Sequence, residues 1–208
     1  MMNRAEVFWD KRARNFEKQP IKDEQAFLNT IQKVKSYLSE ADSVLDYACG
    51  TGTVSNLIAE SVREMHAIDI SSKMIAFAKE KAAALKIDNI QHSKITLFDD
   101  TLDNARFDAV LAFNILHLSE NMQEVIQRIS QLLKPGGFLI SSTPCLKRRL
   151  SLMGIVELSL AKLGIVPNLK MPTVAELETT VQNANFELIS VEKTDPKSVN
   201  CFLVAKKL

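Results

Sequence analysis

Two aspartates, a glycine-bearing loop, an asparagine and a histidine carry the chemistry this sequence could perform. Asp46 closes the short apolar run Ser43-Val44-Leu45 and stands just ahead of Tyr47-Ala48-Cys49-Gly50-Thr51-Gly52, after which residues 53–63 follow a helical pattern. A glycine-bearing loop between strand and helix lets backbone come close to a ligand. In the dinucleotide fingerprint G-x-G-x-x-G that ligand is a pyrophosphate held at the helix N-terminus. Asp46 would repel it by about 1–4 kcal/mol per charge pair at ordinary effective dielectrics, and Ser55 stands where the third glycine belongs. A ligand with an ammonium or sulfonium and no phosphate suits Asp46 better. Asp69 ends a second run, Met65-His66-Ala67-Ile68-Asp69-Ile70, about 17 residues beyond Gly52. That is near the separation at which a second acid meets a ribose, and its two acceptor oxygens match two adjacent hydroxyl donors. Asn114 and His117 follow a third run, Phe107 to Phe113. Ligands of open α/β sheets sit beyond the carboxyl ends of strands, so both belong beside the same ligand. His117 is the best general base there by type and place.

Positioning these side chains requires strands that alternate with helices. Residues 3–18 and 23–38 each carry apolar side chains at helical spacing, Phe8, Trp9, Ala13 and Phe16 in the first and Phe27, Ile31, Val34 and Leu38 in the second. Strands are predicted over 43–47, 65–70, 90–94, 106–114 and 138–143. Helices between them cover 53–63, a segment capped by Ser71-Ser72 that bears Met74, Ile75, Ala78 and Leu85, and residues 120–133. Lys134-Pro135-Gly136-Gly137 is expected to stop that last helix and turn the chain into the fifth strand. Residues 145–171 then break the alternation with a basic cluster, Lys147-Arg148-Arg149, and a nearly all-apolar run from 150 to 166. A helix that apolar must bury most of its surface. Pocket roof, dimer face, membrane-surface contact beside the basic cluster and plain packing on the N-terminal helices are the readings it admits. Thr173-Val174-Ala175-Glu176 is a capping box for a helix to about Ala184, with Asn185 in the left-handed position after it. Residues 186–191 and 200–205 alternate as two strands, and Asp195-Pro196-Lys197-Ser198 turns between them to form an antiparallel hairpin.

Composition narrows the class. With 208 residues, 46% hydrophobic, the chain can bury one sizeable core. A formal net charge of +1 is not that of a bulk nucleic-acid binder. Cys49, Cys145 and Cys201 are odd in number and form no C-x-x-C pair, which favours a reducing cytosol over disulfides or a zinc site. The first residues show no signal-peptide core, and no uncharged apolar stretch reaches membrane-spanning length. The expectation is a cytoplasmic protein without a transmembrane segment, monomeric or homodimeric.

Asp46-x-x-Cys49-Gly50-Thr51-Gly52 resembles motif I of the class I S-adenosylmethionine-dependent methyltransferases. Arg106 to His117 resembles motif IV of their small-molecule branch, Leu132 to Gly137 matches the turn before their fifth strand, and Phe8-Trp9-Asp10 is similar to the start of many of them. The Asn/Asp-Pro-Pro-Tyr/Phe signature for exocyclic amines of DNA bases is absent. The resemblance implies a Rossmann-like α/β fold, a seven-stranded sheet that is mostly parallel with a C-terminal antiparallel hairpin and helices on both faces. It implies S-adenosyl-L-methionine as cofactor and methyl transfer to a small-molecule acceptor, with no nucleic acid as partner. Asp46 would then steer the methionine end and fix the loop, while Ala48, Gly50 and Gly52 let backbone approach the cofactor. Asp69 would hold the ribose, and Ile70 and Met74 would line the adenine. The acid that the family often places after the third strand falls at Ile95, so the base would be held by backbone around Thr96 and Leu97. Asp99 and Asp100 are read as caps of the next turn. Asn114 would offer its amide near the methionine portion, and His117 would serve as the base. Cys49 is read as a small packed residue of the loop. Phe8, Trp9 and Phe16 have two readings, packing on the sheet edge or forming part of a lid.

One domain is expected over 1–208, with a helical cap over 1–40, a cofactor-binding core over 41–144, an apolar insertion over 145–172 and a C-terminal helix and hairpin over 173–208. Two other functions are weighed. A nucleotide-cofactor oxidoreductase is disfavoured by Asp46 and Ser55, and a non-catalytic cofactor-binding or partner-binding relative would keep the fold without turnover. The apolar 150–166 run points to a lipophilic acceptor.

Overall fold

The computed structural model describes residues 4–21, 23–146, 159, 169–193 and 199–208. Apart from Ser159, the apolar run over 150–166, its basic cluster and the turn over 195–198 lie outside them. Seven strands form one sheet: β1 (Ser43–Tyr47), β2 (Glu64–Asp69), β3 (Ile90–Lys94), β4 (Phe107–Phe113), β5 (Leu133–Pro144), β6 (Phe186–Lys193) and β7 (Asn200–Lys207). Their order is β3-β2-β1-β4-β5-β7-β6. The first five run parallel, and β7 pairs antiparallel with both β5 and β6. Strand order reverses between β1 and β4, and a crevice opens at such a reversal beyond the strands' carboxyl ends.

Helices cover both faces because successive strand residues point to opposite sides. On β1, Val44 packs with Ile31 and Val34 of α2 (Glu24–Lys35) and Ile58 of α3 (Thr53–Ile58). Leu45 points the other way, into a core with Ile126 and Ile129 of α5 (Met122–Leu132) and Leu177 and Val181 of α6 (Val174–Gln182). Val110 and Leu111 on β4 divide in the same manner, as do Leu203 and Val204 on β7. Each such side chain, removed from water, contributes about 1.5–3 kcal/mol toward the fold.

Two helix starts and one helix end follow from signals read in the sequence. Ser71 accepts from the Met74 amide at the start of α4 (Ser72–Ala84), and Thr173 with Glu176 forms the capping box of α6. Asn185 takes φ +67°. The helix expected over 53–63 is shorter: α3 ends at Ile58 and a single 3-10 turn, Ala59–Ser61, follows. The break between α5 and β5 also differs. Leu133 is already extended, and Lys134 to Gly137 form a bulge inside β5, between the pairs Phe107/Leu133 and Ala109/Phe138. Asp108 holds that bulge in place. Its carboxylate accepts from the Ser43 amide at 2.9 Å and from Lys134 Nζ at 2.8 Å, and a Cβ on Gly137 would lie 2.9 Å from the Asp108 carbonyl oxygen. Helix α1 (Arg4–Glu17) lies against α4 with Ala13 fully buried.

Candidate functional site

The first crossover loop is built from strained backbone. Ala48, Gly50 and Gly52 have φ of +60°, +55° and +76°, and for a residue with a Cβ such as Ala48 that conformation costs roughly 1–2 kcal/mol. Hydrogen bonds from Cys49 N to Ile68 O and from Gly52 N to Cys49 O, both 3.0 Å, hold it. Asn114, at the mouth of β4, is also left-handed at φ +54°, with its amide donating to Ser142 O at 2.8 Å. These two kinks flank the reversal in strand order.

A cavity of about 920 Å³ opens there, within the range of small-molecule sites. Its walls include Asp46, Ala48, Gly50, Asp69, Ile70, Met74, Thr96, Leu97, Asn114 and His117. Gly52 is not among the lining residues. A Cβ there would lie 3.0 Å from Ala78 Cβ and 3.2 Å from its Cα, so this glycine lets α3 pack on α4 behind the loop. From α1, Trp9 and Phe16 line the cavity, whereas Phe8 packs edge-on against Trp9 with the Arg12 guanidinium over its other side.

The two acids sit in different settings. Asp46 is 2% exposed and accepts from Ser55 Oγ at 2.5 Å. Burial, opposed by that hydroxyl and aided by nearby Asp69, pushes its carboxyl up to about 6. Asp69 accepts from the Gly50 amide at 3.0 Å and the Ser71 amide at 2.8 Å, one on each oxygen. Burial still raises it above the ordinary aspartate value. Each oxygen keeps a further lone pair for a ligand hydroxyl. No lysine or arginine appears among the described residues that line the cavity, so the wall calls for a cation.

Beyond β3, Ile95, Thr96 and Leu97 all line the cavity. Thr96 O accepts from the Asp99 amide at 3.2 Å and Leu97 O from Arg128 Nε at 3.3 Å. Asp99 caps the turn by accepting from the Thr101 amide and hydroxyl. Asn114 Oδ1 accepts from Asn200 Nδ2 at 3.4 Å. His117 sits in the 3-10 turn Leu116–Leu118, and its Nδ1 is buried without a partner among the described residues. Burial lowers its imidazole to about 4. Tyr47 also lines the cavity, and burial pushes its hydroxyl up to about 12.

Sequence reading missed three contributors. Ser55 appeared only as a missing glycine, yet it is the hydroxyl that holds Asp46. Ser71 was legible as a cap, but its amide also binds Asp69. Asp10 reaches α4 from 61 residues away in the chain, and no local pattern announces such a contact.

The lining thus sets two carboxylates beside apolar Ile70, Met74 and Leu97. The family model described as a methyltransferase domain matches residues 38–197. An uncharacterized methyltransferase of Schizosaccharomyces pombe is 34% identical over 104 residues, 47% of this chain and 37% of that protein. A ubiquinone biosynthesis O-methyltransferase of Rickettsia canadensis is 28% identical over 132 residues, 61% of this chain and 53% of that one. The chain thus spans about half or less of these curated relatives. A solved structure of geranyl diphosphate methyltransferase in complex with SAM shares the fold, with TM-score 0.74 at 13% identity over 86% of this chain and 85% of that chain. Sequence family and sheet topology agree, and this chain belongs to the methyltransferase-domain family, within the class I S-adenosylmethionine-dependent enzymes.

Proposed function

We propose that the chain transfers a methyl group from S-adenosylmethionine to a small-molecule acceptor by in-line displacement. The observation that carries this reading is the buried pair Asp46 and Asp69 on one cavity wall, with no lysine or arginine among the described lining. When bound, the cofactor supplies a methyl group already activated on a sulfonium, so the chain's work is position, desolvation and alignment. Asp46, held by Ser55, attracts the ammonium end of the methionine portion, and Asp69 accepts from the ribose hydroxyls. Ile70, Met74 and Leu97 enclose the adenine and the Thr96 to Leu97 backbone holds it, while the Asn114 side-chain amide meets the methionine portion. Trp9, Phe16, Phe27 and Phe113 supply an aromatic wall for a lipophilic acceptor, and they too line the cavity. His117 takes the acceptor's proton where the acceptor is a neutral oxygen or nitrogen.

Calorimetry with S-adenosylhomocysteine and with NADH tests the cofactor, and preference for the nicotinamide would refute the reading. Asp69→Ala should weaken S-adenosylhomocysteine by about tenfold or more, the size of one lost charge-assisted contact pair. Turnover is tested by radiolabelled methyl transfer to a panel of ring-bearing and prenyl alcohols, phenols and amines. A second reading, binding without turnover, is favoured by one feature: burial holds His117 near 4, which makes it a weak base at neutral pH. Tight product binding with no label incorporated anywhere would select it. Among the described residues no helix is long and apolar enough to cross a membrane. A cytoplasmic monomer or homodimer, with 1–40 as cap, completes the proposal.

A further inference from the structure

Helix α1 divides its surface between two neighbouring stripes. Ala5, Trp9 and Phe16 line the cavity. One position along, Glu6 and Asp10 reach other elements, and Glu17, which also lines the cavity, does the same. Glu6 pairs with Lys94 at 2.8 Å, and Glu17 pairs with Lys81 at 3.2 Å, which also donates to Thr53 Oγ1 at 3.1 Å.

Asp10 does more than pair. Its Oδ1 accepts from Ser71 Oγ at 2.5 Å and from the Lys73 amide at 3.2 Å, and Ser72 Oγ reaches both carboxylate oxygens at 3.3 and 3.5 Å. The first turn of α4 contains no acid of its own. Asp10 therefore supplies from another helix the negative charge that a helix N-terminus favours. Burial opposes its ionisation, but the donors from Ser71, Lys73 and Ser72 outweigh it and hold the carboxyl below the ordinary aspartate value. The same Ser71 that donates its hydroxyl to Asp10 donates its amide to Asp69 at 2.8 Å. Asp69 in turn takes the Gly50 amide, and the Phe16 ring lies over Gly50, 3.5 Å from where a Cβ would stand. A closed circuit results: Asp10 to Ser71, Ser71 to Asp69, Asp69 to Gly50, Gly50 to Phe16, and back along α1.

From this circuit we infer that Asp10 is a positioning residue of the cofactor site, a latch that ties the cavity-facing side of α1 to the ribose-binding carboxylate and sets how long the adenosyl cofactor stays bound. The inference rests on the cofactor reading above. Because the latch acts through Ser71, its loss acts on escape more than on capture: α1 swings from the cavity mouth and Asp69 loses its fixed orientation.

Trp9 is the chain's single tryptophan, at the cavity edge next to Asp10, so its emission reports on this site directly. Stopped-flow Trp9 fluorescence with S-adenosylhomocysteine is the test, on wild type, Asp10→Ala, Asp10→Asn and Glu6→Gln. Asp10→Ala should raise the off-rate about tenfold with the on-rate within about threefold, as expected for lost charge-assisted hydrogen bonds. Asp10→Asn, which keeps shape and loses charge, should fall between Asp10→Ala and wild type. Glu6→Gln removes an anchor of the same helix, its pair with Lys94, that makes no contact with Ser71 in the circuit, and should leave the off-rate unchanged. An equal rise in Glu6→Gln would reduce the effect to general loosening of α1 and overturn the latch. An Asp10→Ala off-rate at the wild-type value would do so too. Should Asp10→Ala fail to fold by circular dichroism, Asp10→Asn decides in the same way. Wild type that binds no S-adenosylhomocysteine sinks the cofactor reading and the latch together, whereas wild type that binds with indifferent Asp10 variants sinks the latch alone.

Discussion

Asp46 carries the clearest electrostatic signature in the molecule, a buried carboxyl raised to about 6 beside a second raised acid. A cationic amino-acid end placed against it should lower that value and drive off the proton. Calorimetry of S-adenosylhomocysteine at pH 6 should therefore give different apparent enthalpies in phosphate and in imidazole, and identical enthalpies would contradict the placement. Ser55→Ala removes the hydroxyl that supports the ionised form and should weaken product affinity by about tenfold or more, a typical hydrogen bond to a charged group. His117 gives the opposite sign in stability. Its folded value, about 4, lies below the unfolded one, so its contribution is present above pH 6.5 and lost as pH falls toward 4. Asp46, raised by folding, contributes stability at low pH that is lost as pH rises through about 6. The two compensate, and His117→Gln should unmask the difference. Between pH 7 and pH 5 the wild type should lose about 2 kcal/mol more than this variant in urea unfolding, from a shift of roughly 2.5 pH units.

At the scale of elements, positions were legible wherever a local pattern causes the structure. The Thr173 and Glu176 box, the Ser71 cap and Asn185 each act within a few residues, and each forms as the sequence implies. Thr173→Ala should accordingly cost about 1 kcal/mol in thermal or chemical unfolding. What was not legible depends on partners remote in sequence. Pro135-Gly136-Gly137 reads as a stop, yet Asp108 and Lys134 hold it inside β5 as a bulge. Gly52 reads as a ligand glycine, yet its neighbour is Ala78 of α4. Gly52→Ala should therefore destabilise by about 2 kcal/mol or more through left-handed strain and overpacking, measured as a fall in unfolding midpoint without ligand.

Across the whole molecule, alternation of short apolar runs with helical patterns was enough to give the α/β class and the closing antiparallel pair. The spatial order of strands was not, because nothing local says that β7 inserts between β5 and β6 rather than flanking them. The cavity was legible in its first strand ends, Asp46 and Asp69, whose spacing is fixed by a single crossover. Its aromatic wall required α1 to cross over α4, which distant carboxylates and lysines decide. The inserted strand has a bearing on synthesis. Phe202 to Ala205 are buried in the middle of the hairpin side, so a ribosome-bound chain displays the bare flank of β5 until residues 200–207 have left the exit tunnel. An unprotected flank of this kind invites other nascent chains, and a fragment cut after residue 198 should scatter light at concentrations where the longer chain stays clear.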